Sequence, residues 1–480
     1  MPYEKYETVI GLEIHAQLST RSKAFCGDDV SFGGDPNTQV SPISLGHPGT
    51  LPRLNRKQVE YAVRLGLALG SAINLRSAFD RKNYFYADLP KGYQVTQDRA
   101  PICVGGSLNI RVGEEEKAIR IHHIHMEEDA GKSMHDSEGP YSLIDLNRAG
   151  VPLLEIVSEP DLRSAEEVDA FMSAMRQLMR YLGICDGNME QGSMRCDCNV
   201  SVRLKGDPNL GERCEIKNLN SMRYARRAIA YEARRQIGLV ESGSRVEQQT
   251  LNFDPSTGVT APLRDKEDAH DYRYFPEPDL PPVVLSREYV EKIRRALPAL
   301  PWELFRQFQE EYGLPAYDAN LLTQEQPTAL FFLALCEHTG NFKAAANLII
   351  NKVAPFCNEQ GIDITDFPVG HDHLAAFIQL IDEGKVASAA AYQHIFPALA
   401  EAPGRSPLEA AQALNLIQTS DEGLLERLVD EALANNPEEV ERYRNGKKGL
   451  MGFFMGEVMK ASKGKADPKV ASGLLRKKLG

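Results

Sequence analysis

The chain has 480 residues, 42% of them hydrophobic and 25% charged, with a formal net charge of −12. That is room for about three domains and the composition of a globular protein, which excludes a disordered or fibrous chain. No run approaches the roughly 18 consecutive apolar residues of a membrane-spanning helix, and MPYEKYETVIG lacks the layout of a secretory leader, so a cytoplasmic protein with reduced thiols is expected.

The first predicted element is a strand over 9–18. Leu12, Ile14, Ala16 and Leu18 alternate with Gly11, Glu13, His15 and Gln17, so the last set shares one face. Side chains two apart on a strand stand about 7 Å apart, close enough for Glu13 and His15 to share an ion; a water-facing edge would show the same alternation. Loops follow at 33–37 and 88–93, with a helix between them over 56–69 behind Asn55 as N-cap. Next comes the string HHIHMEEDAGK, which holds His122, His123, His125, Glu127, Glu128, Asp129 and Lys132. Hard oxygen donors suit Mg²⁺, and imidazole admits Mn²⁺ or Zn²⁺. A metal beside a lysine is an apparatus for a nucleoside triphosphate, and a solvated polar turn is the plainer reading. A helix over 164–182 follows, with Ser164 ahead of Glu166 and Glu167 and a stripe of Val168, Phe171, Met172, Met175, Leu178, Met179 and Leu182.

Two polar strands come next, within 190–203 and 212–221. The first sets Arg195, Asp197, Asn199, Ser201 and Arg203 opposite Cys196, Cys198, Val200 and Val202. The second carries Arg213, Glu215, Lys217 and Asn218 beside Cys214, Ile216 and Leu219. Such density of Arg, Asp, Asn and Glu belongs to the floor of a ligand site more than to an outer face. After a helix over 221–237, the run Pro276-Glu277-Pro278-Asp279-Leu280-Pro281-Pro282 marks a rigid boundary. Beyond it the pattern is helical throughout, with a further break at 402–407. From Arg444 to Gly480 ten Lys or Arg face two acids, a basic module on an acidic body that points to a polyanion such as RNA.

Seven strings, VIGLEIHAQL, FDRKNYFYADLPKGYQVTQ, HMEEDAGKSMHD, SLIDLNRAGVPLLEIVSEPD, GSMRCDCNVSVR, EIKNLNSM and DYRYFPEPDLPP, are together similar to the B subunits of aspartyl/glutamyl-tRNA amidotransferases (GatB). They stand in that family's order across about 7–282. The segment GKKGLMGFFMGEVMKASKGKADPKVASGL resembles the tail domain shared with YqeY-like proteins. The resemblance implies an α+β fold: a strand-rich, cradle-like catalytic domain over 1–290, then two all-helical domains, 291–405 and a tRNA-binding tail over 406–480. It implies a carbon–nitrogen ligase with glutamine as amido donor. Such a protein works in a heterotrimer with an amidase A subunit and a small C subunit, and converts misacylated Glu-tRNA(Gln), Asp-tRNA(Asn) or both. ATP and Mg²⁺ activate the aminoacyl side-chain carboxylate, and ammonia from the A subunit displaces phosphate. No Gly/Ser-rich amidase signature occurs in this chain, so glutamine hydrolysis is expected elsewhere.

Carried over motif by motif, the resemblance nominates Glu13, His15, Glu128 and Glu215 as catalytic metal ligands, with Glu127 and Asp129 as second choices. Lys82, Lys132 and Arg148 are its candidates for phosphate or carboxylate contacts. Asn147 and Asn218 are cofactor-site candidates, and with Asn199 they would orient substrate. Where many members carry four zinc-binding thiols, this chain has Cys26, Asp28, Ser41 and Ser44. Hydroxyls are poor zinc ligands, so no structural zinc is expected there. The competing reading, an RNA-binding scaffold without chemistry, shares the basic tail but does not need the concentrated acids.

Overall fold

The computed structural model describes residues 2–135, 141–263, 272–418, 422–462 and 465–480. They divide into two compact units, Met1–Pro301 and Trp302–Gly480.

The first unit is built on a ten-stranded sheet. Its centre is β1 (Tyr6–Gln17), whose alternating pattern gives it one buried and one polar face. Further strands are β2 (Asp80–Asn83), β3 (Tyr93–Thr96), β4 (Ser107–Val112), β5 (Glu115–Glu128), β6 (Lys132–His135), β7 (Ser142–Asp145), β8 (Pro152–Ser158), β9 (Met194–Leu204), β10 (Cys214–Leu219), β11 (Gln249–Asp254) and β12 (Val259–Pro262). The large sheet runs β12-β11-β10-β9-β1-β8-β5 and continues through Cys103–Val104 to Ala72–Ile73, while β4 pairs with β5 off this path. Its pairings from β9 through β1 and β8 to β5 are antiparallel, and β10 with β11 is parallel. Strands β6 and β7 form a separate hairpin, and β2 and β3 pair with Phe275–Pro276 in a small sheet.

The buried face of the large sheet is a continuous apolar surface. Leu12, Ile14 and Ala16 of β1, Ile124 and Met126 of β5, Leu154 and Ile156 of β8, and Cys196, Cys198 and Val200 of β9 are all at most 1% exposed. Each fully buried Leu or Ile contributes roughly 2 kcal/mol. Helices α1 (Arg56–Ala68), α2 (Ala165–Tyr181) and α3 (Met222–Glu241) serve this core: α1 packs on β5 and β8, α3 on β9 and β12, and α2 on β4 and α3. The expected caps are present, with Asn55 accepting from the Lys57 amide and Ser164 from the Glu167 amide. On α3, the carboxylate of Glu232 is fully buried, accepts from Arg235 at 2.9 and 2.7 Å, from Gln236 at 2.9 Å and from Thr260 of β12 at 2.9 Å, and so ties helix to sheet. Helix α4 (Arg287–Arg295) packs on α1, which carries the first unit past the boundary expected at 290.

The second unit is helical throughout. The expected helix over 341–357 is α-helical at both ends with a π turn at Ile349–Val353, and Ile395 closes a second such turn at Ala391–Ile395. Each π turn immediately precedes a helical turn containing proline, Pro355 or Pro397, whose missing N–H the wider turn absorbs. Helix Pro407–Ala413, expected to open the tail, packs instead on His371–Asp382 and Phe396–Glu401. The tail's own core lies after it: Leu425, Val429, Tyr443, Phe454, Val458, Ala471, Leu475 and Leu479 close around one another. Gly449, Gly452 and Gly456 have open space where a Cβ would point, so helix packing does not explain them. Among the described residues no helix is long and apolar enough to cross a membrane.

Candidate active site

The polar face of the large sheet is an acidic floor, and strand pairing fixes who meets whom on it. On β1, Glu13 lies opposite Asp197 of β9, and His15 lies between Arg195 of β9 and Glu155 of β8. Glu155 in turn faces His125 of β5, and Glu215 of β10 faces Asn199 of β9. Two groups of converging ligand atoms result, each with all its atoms within 4.8 Å of one another: His15, Glu127 and Glu155, and Glu13, Asp197 and Glu215.

In the first group His15 Nε2 stands 3.0 Å from Glu155 and 3.7 Å from Glu127, and His125 Nε2 stands 3.5 and 3.6 Å from the same two carboxylates. Burial opposes the charged form of His15, but the hydrogen bond to Glu155 and the fields of Glu155 and Glu127 prevail and raise its pKa to about 9. The same opposition, resolved by the same acids, puts His125 at about 10. Burial would raise Glu155, yet His125 and His15 hold it well below the usual carboxylate range. His123, stacked on His125 with its Nε2 3.0 Å from His125 Nδ1, is pushed down to about 4 by burial and by its two histidine neighbours. In the second group burial, then Glu155, raises Glu13 against a 2.9 Å hydrogen bond from Asn199. Lys217 lies 2.7 Å from Glu215 and 3.6 Å from Asp197.

One imidazole and two carboxylates are a donor set for Mg²⁺ or Mn²⁺. The residues fit such an ion: the two acids, compensated here by imidazolium, would be compensated by the cation once His15 gave up its proton. When bound, the ion would neutralise phosphate oxygens.

The structure brings together three of the four nominated metal ligands on one floor and leaves out the fourth. Glu13, His15 and Glu215 lie there, with Glu215 and Glu13 in one group and His15 in the other. Glu128 does not, because adjacent residues of a strand point to opposite faces. Glu127 faces the floor. Glu128 points away, pairs with Lys91 and accepts from the Val95 amide at 3.0 Å. There it lines a cavity of about 230 Å³ with Lys23, Cys26, Tyr93 and Glu277. Asp129, the other second choice, accepts from Gln17 at 2.7 Å and Arg195 at 2.9 Å and ionises more readily than usual, since Arg195 and Arg148 outweigh its burial.

The nominated cationic and amide residues divide differently. Lys82 lies over the rings of Tyr272 and Tyr84, at 4.7 and 5.8 Å. Lys132 is exposed on β6. Arg148 donates to the carbonyls of Ala130 and Gly131 at 3.0 and 2.6 Å. Asn147 is a loop clamp: it accepts from the Gln39 amide and donates to the Asp35 carbonyl. Asn218 is on β10, but its side chain lies outside the described residues. The residues missed from the nominations are Glu155, Asp197 and Arg195. Glu155 had a signal, a lone carboxylate inside the apolar run Pro152–Ser158.

In the segment 26–46, Cys26, Asp28, Ser41 and Ser44 are joined by hydrogen bonds. Asp28 accepts from the Ser41 amide at 2.9 Å and from Ser44 Oγ at 2.6 Å, and Cys26 bonds to Asp28. Burial pushes the Cys26 thiol up to about 11.

A chain that carries a carboxylate and imidazole floor on an open sheet, followed in sequence by a helical region with a basic end, matches the class of amidotransferase subunits of the GatB/GatE type. Residues 8–291 match the GatB/GatE catalytic domain and 330–479 the GatB domain. The chain is 50% identical over 480 residues to the B subunit of the aspartyl/glutamyl-tRNA(Asn/Gln) amidotransferase of Myxococcus xanthus (strain DK1622), covering 100% of both chains. It is 47% identical over 479 residues to the corresponding protein of Persephonella marina (99% of this chain, 100% of the relative), and 48% over 473 to that of Thermodesulfovibrio yellowstonii (98% and 99%). The chain belongs to the family of aspartyl/glutamyl-tRNA(Asn/Gln) amidotransferase B subunits.

Proposed function

We propose that this chain activates the side-chain carboxylate of Glu-tRNA(Gln), Asp-tRNA(Asn) or both, in the cytoplasm, as the B component of a heterotrimer with an amidase A subunit and a small C subunit. The observation that carries the reading is the acidic floor with His15, Glu127 and Glu155 within ligand distance of one another. A carboxylate resists ammonia because oxide is a poor leaving group. Phosphorylation by ATP makes an acyl phosphate, from which ammonia displaces phosphate.

In this reading His15, Glu127 and Glu155 hold Mg²⁺, and Glu13, Asp197 and Glu215 complete the anionic wall of the site. Such a wall serves a cation–phosphate assembly and is out of place on a passive RNA scaffold, whose phosphates it would repel. Glu128, Lys82, Lys132, Asn147 and Arg148 have structural partners or positions of their own. The tail after 416 is assigned to tRNA: Lys447, Lys448, Lys460 and Lys469 are exposed on it, and phosphate contacts need cations on a rigid frame. Lys463 lies outside the described residues.

The test is reconstitution with A and C subunits, glutamine, ATP and each misacylated tRNA. ADP release dependent on aminoacyl-tRNA is expected, abolished by Glu127→Gln and Glu155→Gln with tRNA binding retained. Full turnover in both variants would remove the metal role of these residues.

A further inference from the structure

An acidic floor that must admit a carboxylate substrate needs a cation with free donors. Among the described residues of this face, the cations differ sharply in how far their donors are already used. Lys217 is held between Glu215 and Asp197 at 2.7 and 3.6 Å. Arg148 spends Nε and Nη2 on two carbonyls. Lys82, on β2 of the small sheet, keeps its ammonium over the rings of Tyr272 and Tyr84 with no hydrogen bond to another described residue, but an ammonium lacks the planar fork that matches a carboxylate. Arg195 is the guanidinium on the large sheet's floor with most of its fork open. It forms one hydrogen bond, from Nη2 to Asp129 at 2.9 Å, and its side chain keeps 21% exposure. Nε and Nη1 are bonded to no other described residue.

Its position suits the need. Arg195 is paired across from His15, and its charge is felt by Glu127 and Asp197, one from each acid group. Asp129 holds the guanidinium in place and is itself held by Gln17 of β1 and the Ala130 amide. Arg195 and Arg148, 2.9 and 3.8 Å from Asp129, share that single carboxylate, so the cluster keeps one excess positive charge. A guanidinium fork matches the two oxygens of a carboxylate, and a carboxylate has about four lone-pair sites. One can therefore attack phosphorus while others are held.

We propose that Arg195 receives the side-chain carboxylate of the aminoacyl group, with Asp129 as its positioning residue. This rests on the activation reading above. In the step served, a carboxylate oxygen forms a bond to the γ-phosphorus, the bond from that phosphorus to the bridging oxygen breaks, and ADP leaves with the electron pair. Arg195 stays protonated and orients the nucleophile beside the metal-binding acids.

The experiment uses the reconstituted heterotrimer with Arg195→Ala, Arg195→Lys and Asp129→Asn. Expected for Arg195→Ala is a fall of about 100-fold or more in kcat/KM for aminoacyl-tRNA, as on loss of a charged donor at a reacting centre. Binding of uncharged tRNA and of a non-hydrolysable ATP analogue should be unchanged. Guanidinium ion added to Arg195→Ala should restore part of the rate, which a purely structural residue would not show. Arg195→Lys and Asp129→Asn should keep the fold, by melting temperature, with intermediate rates. Weakened binding of the ATP analogue would make Arg195 a phosphate ligand and overturn the proposal. So would unchanged kcat/KM in Arg195→Ala. A wild-type heterotrimer that releases no ADP with aminoacyl-tRNA would instead remove the activation reading itself.

Discussion

Replacing Glu232 by Gln tests how the sheet that carries the site is held from behind. The carboxylate is fully buried and accepts four hydrogen bonds, two of them from Arg235. Gln keeps one oxygen but turns an NH₂ toward donors from Arg235, Gln236 or Thr260, and it leaves the guanidinium without its charge partner. Breaking a buried pair of this kind costs about 3–5 kcal/mol, which lowers the melting temperature by roughly 6–15 °C in a unit of this size. Burial would raise the Glu232 pKa, but the hydrogen bonds from Arg235 and Gln236 bring it below the usual carboxylate value. A depressed folded-state pKa means stability that is present above the unfolded value of about 4.3 and is lost as pH falls through the folded value. Scanning calorimetry of wild type and Glu232→Gln from pH 7 to 3 should show the full gap at neutral pH, closing below about pH 4. A gap under about 1 kcal/mol, or one constant across that range, would refute the account of Glu232 as the anionic tie between α3 and β12.

Glu127→Gln should weaken Mn²⁺ binding at least about tenfold while Glu128→Gln leaves it within about twofold; titration by electron paramagnetic resonance distinguishes them, and the reverse order would return Glu128 to the metal site. Because His15 is protonated up to about pH 9, a cation must displace that proton, so Mn²⁺ affinity should climb as pH rises toward 9; a flat profile would show that His15 is not a ligand. Chelator washing should leave the segment 26–46 as resistant to proteolysis as before, whereas Asp28→Ala should expose it; about one zinc per chain, lost on Cys26→Ser, would contradict this. Ending the chain after Leu416 should weaken tRNA affinity and flatten its salt dependence, since several counterions are no longer released; an unchanged salt slope would make the tail an assembly element.

The strands and their polar faces were legible because period-two alternation is a local property. The alternation in β1 put Glu13 and His15 on one face, and that in β9 put Arg195, Asp197 and Asn199 on another. Which faces adjoin is a matter of strand order. Nothing local says that β1 lies between β8 and β9, so Glu155 and Asp197 could not be joined to His15 and Glu13 from spacing. The motif EEDAG offered two adjacent acids, and resemblance pointed to Glu128; alternation from His125 along the same strand puts Glu127 on the floor and Glu128 on the opposite face. Where the helical tail begins is not a local property either. A proline-rich break at 402–407 ends a helix, but it does not say on which core the next helix packs.

Strand β5 is a partition with a room on either side. Glu127 serves the floor and Glu128 the cavity of Lys91 and Lys23, from successive positions of one backbone. The two rooms therefore share a ruler. Deleting a single residue between His125 and Glu127 would carry each later acid to the wrong side, disarming both at once, whereas a point substitution reaches only one. For anyone reshaping this protein, the length of that stretch is a stricter specification than the identity of most residues in it.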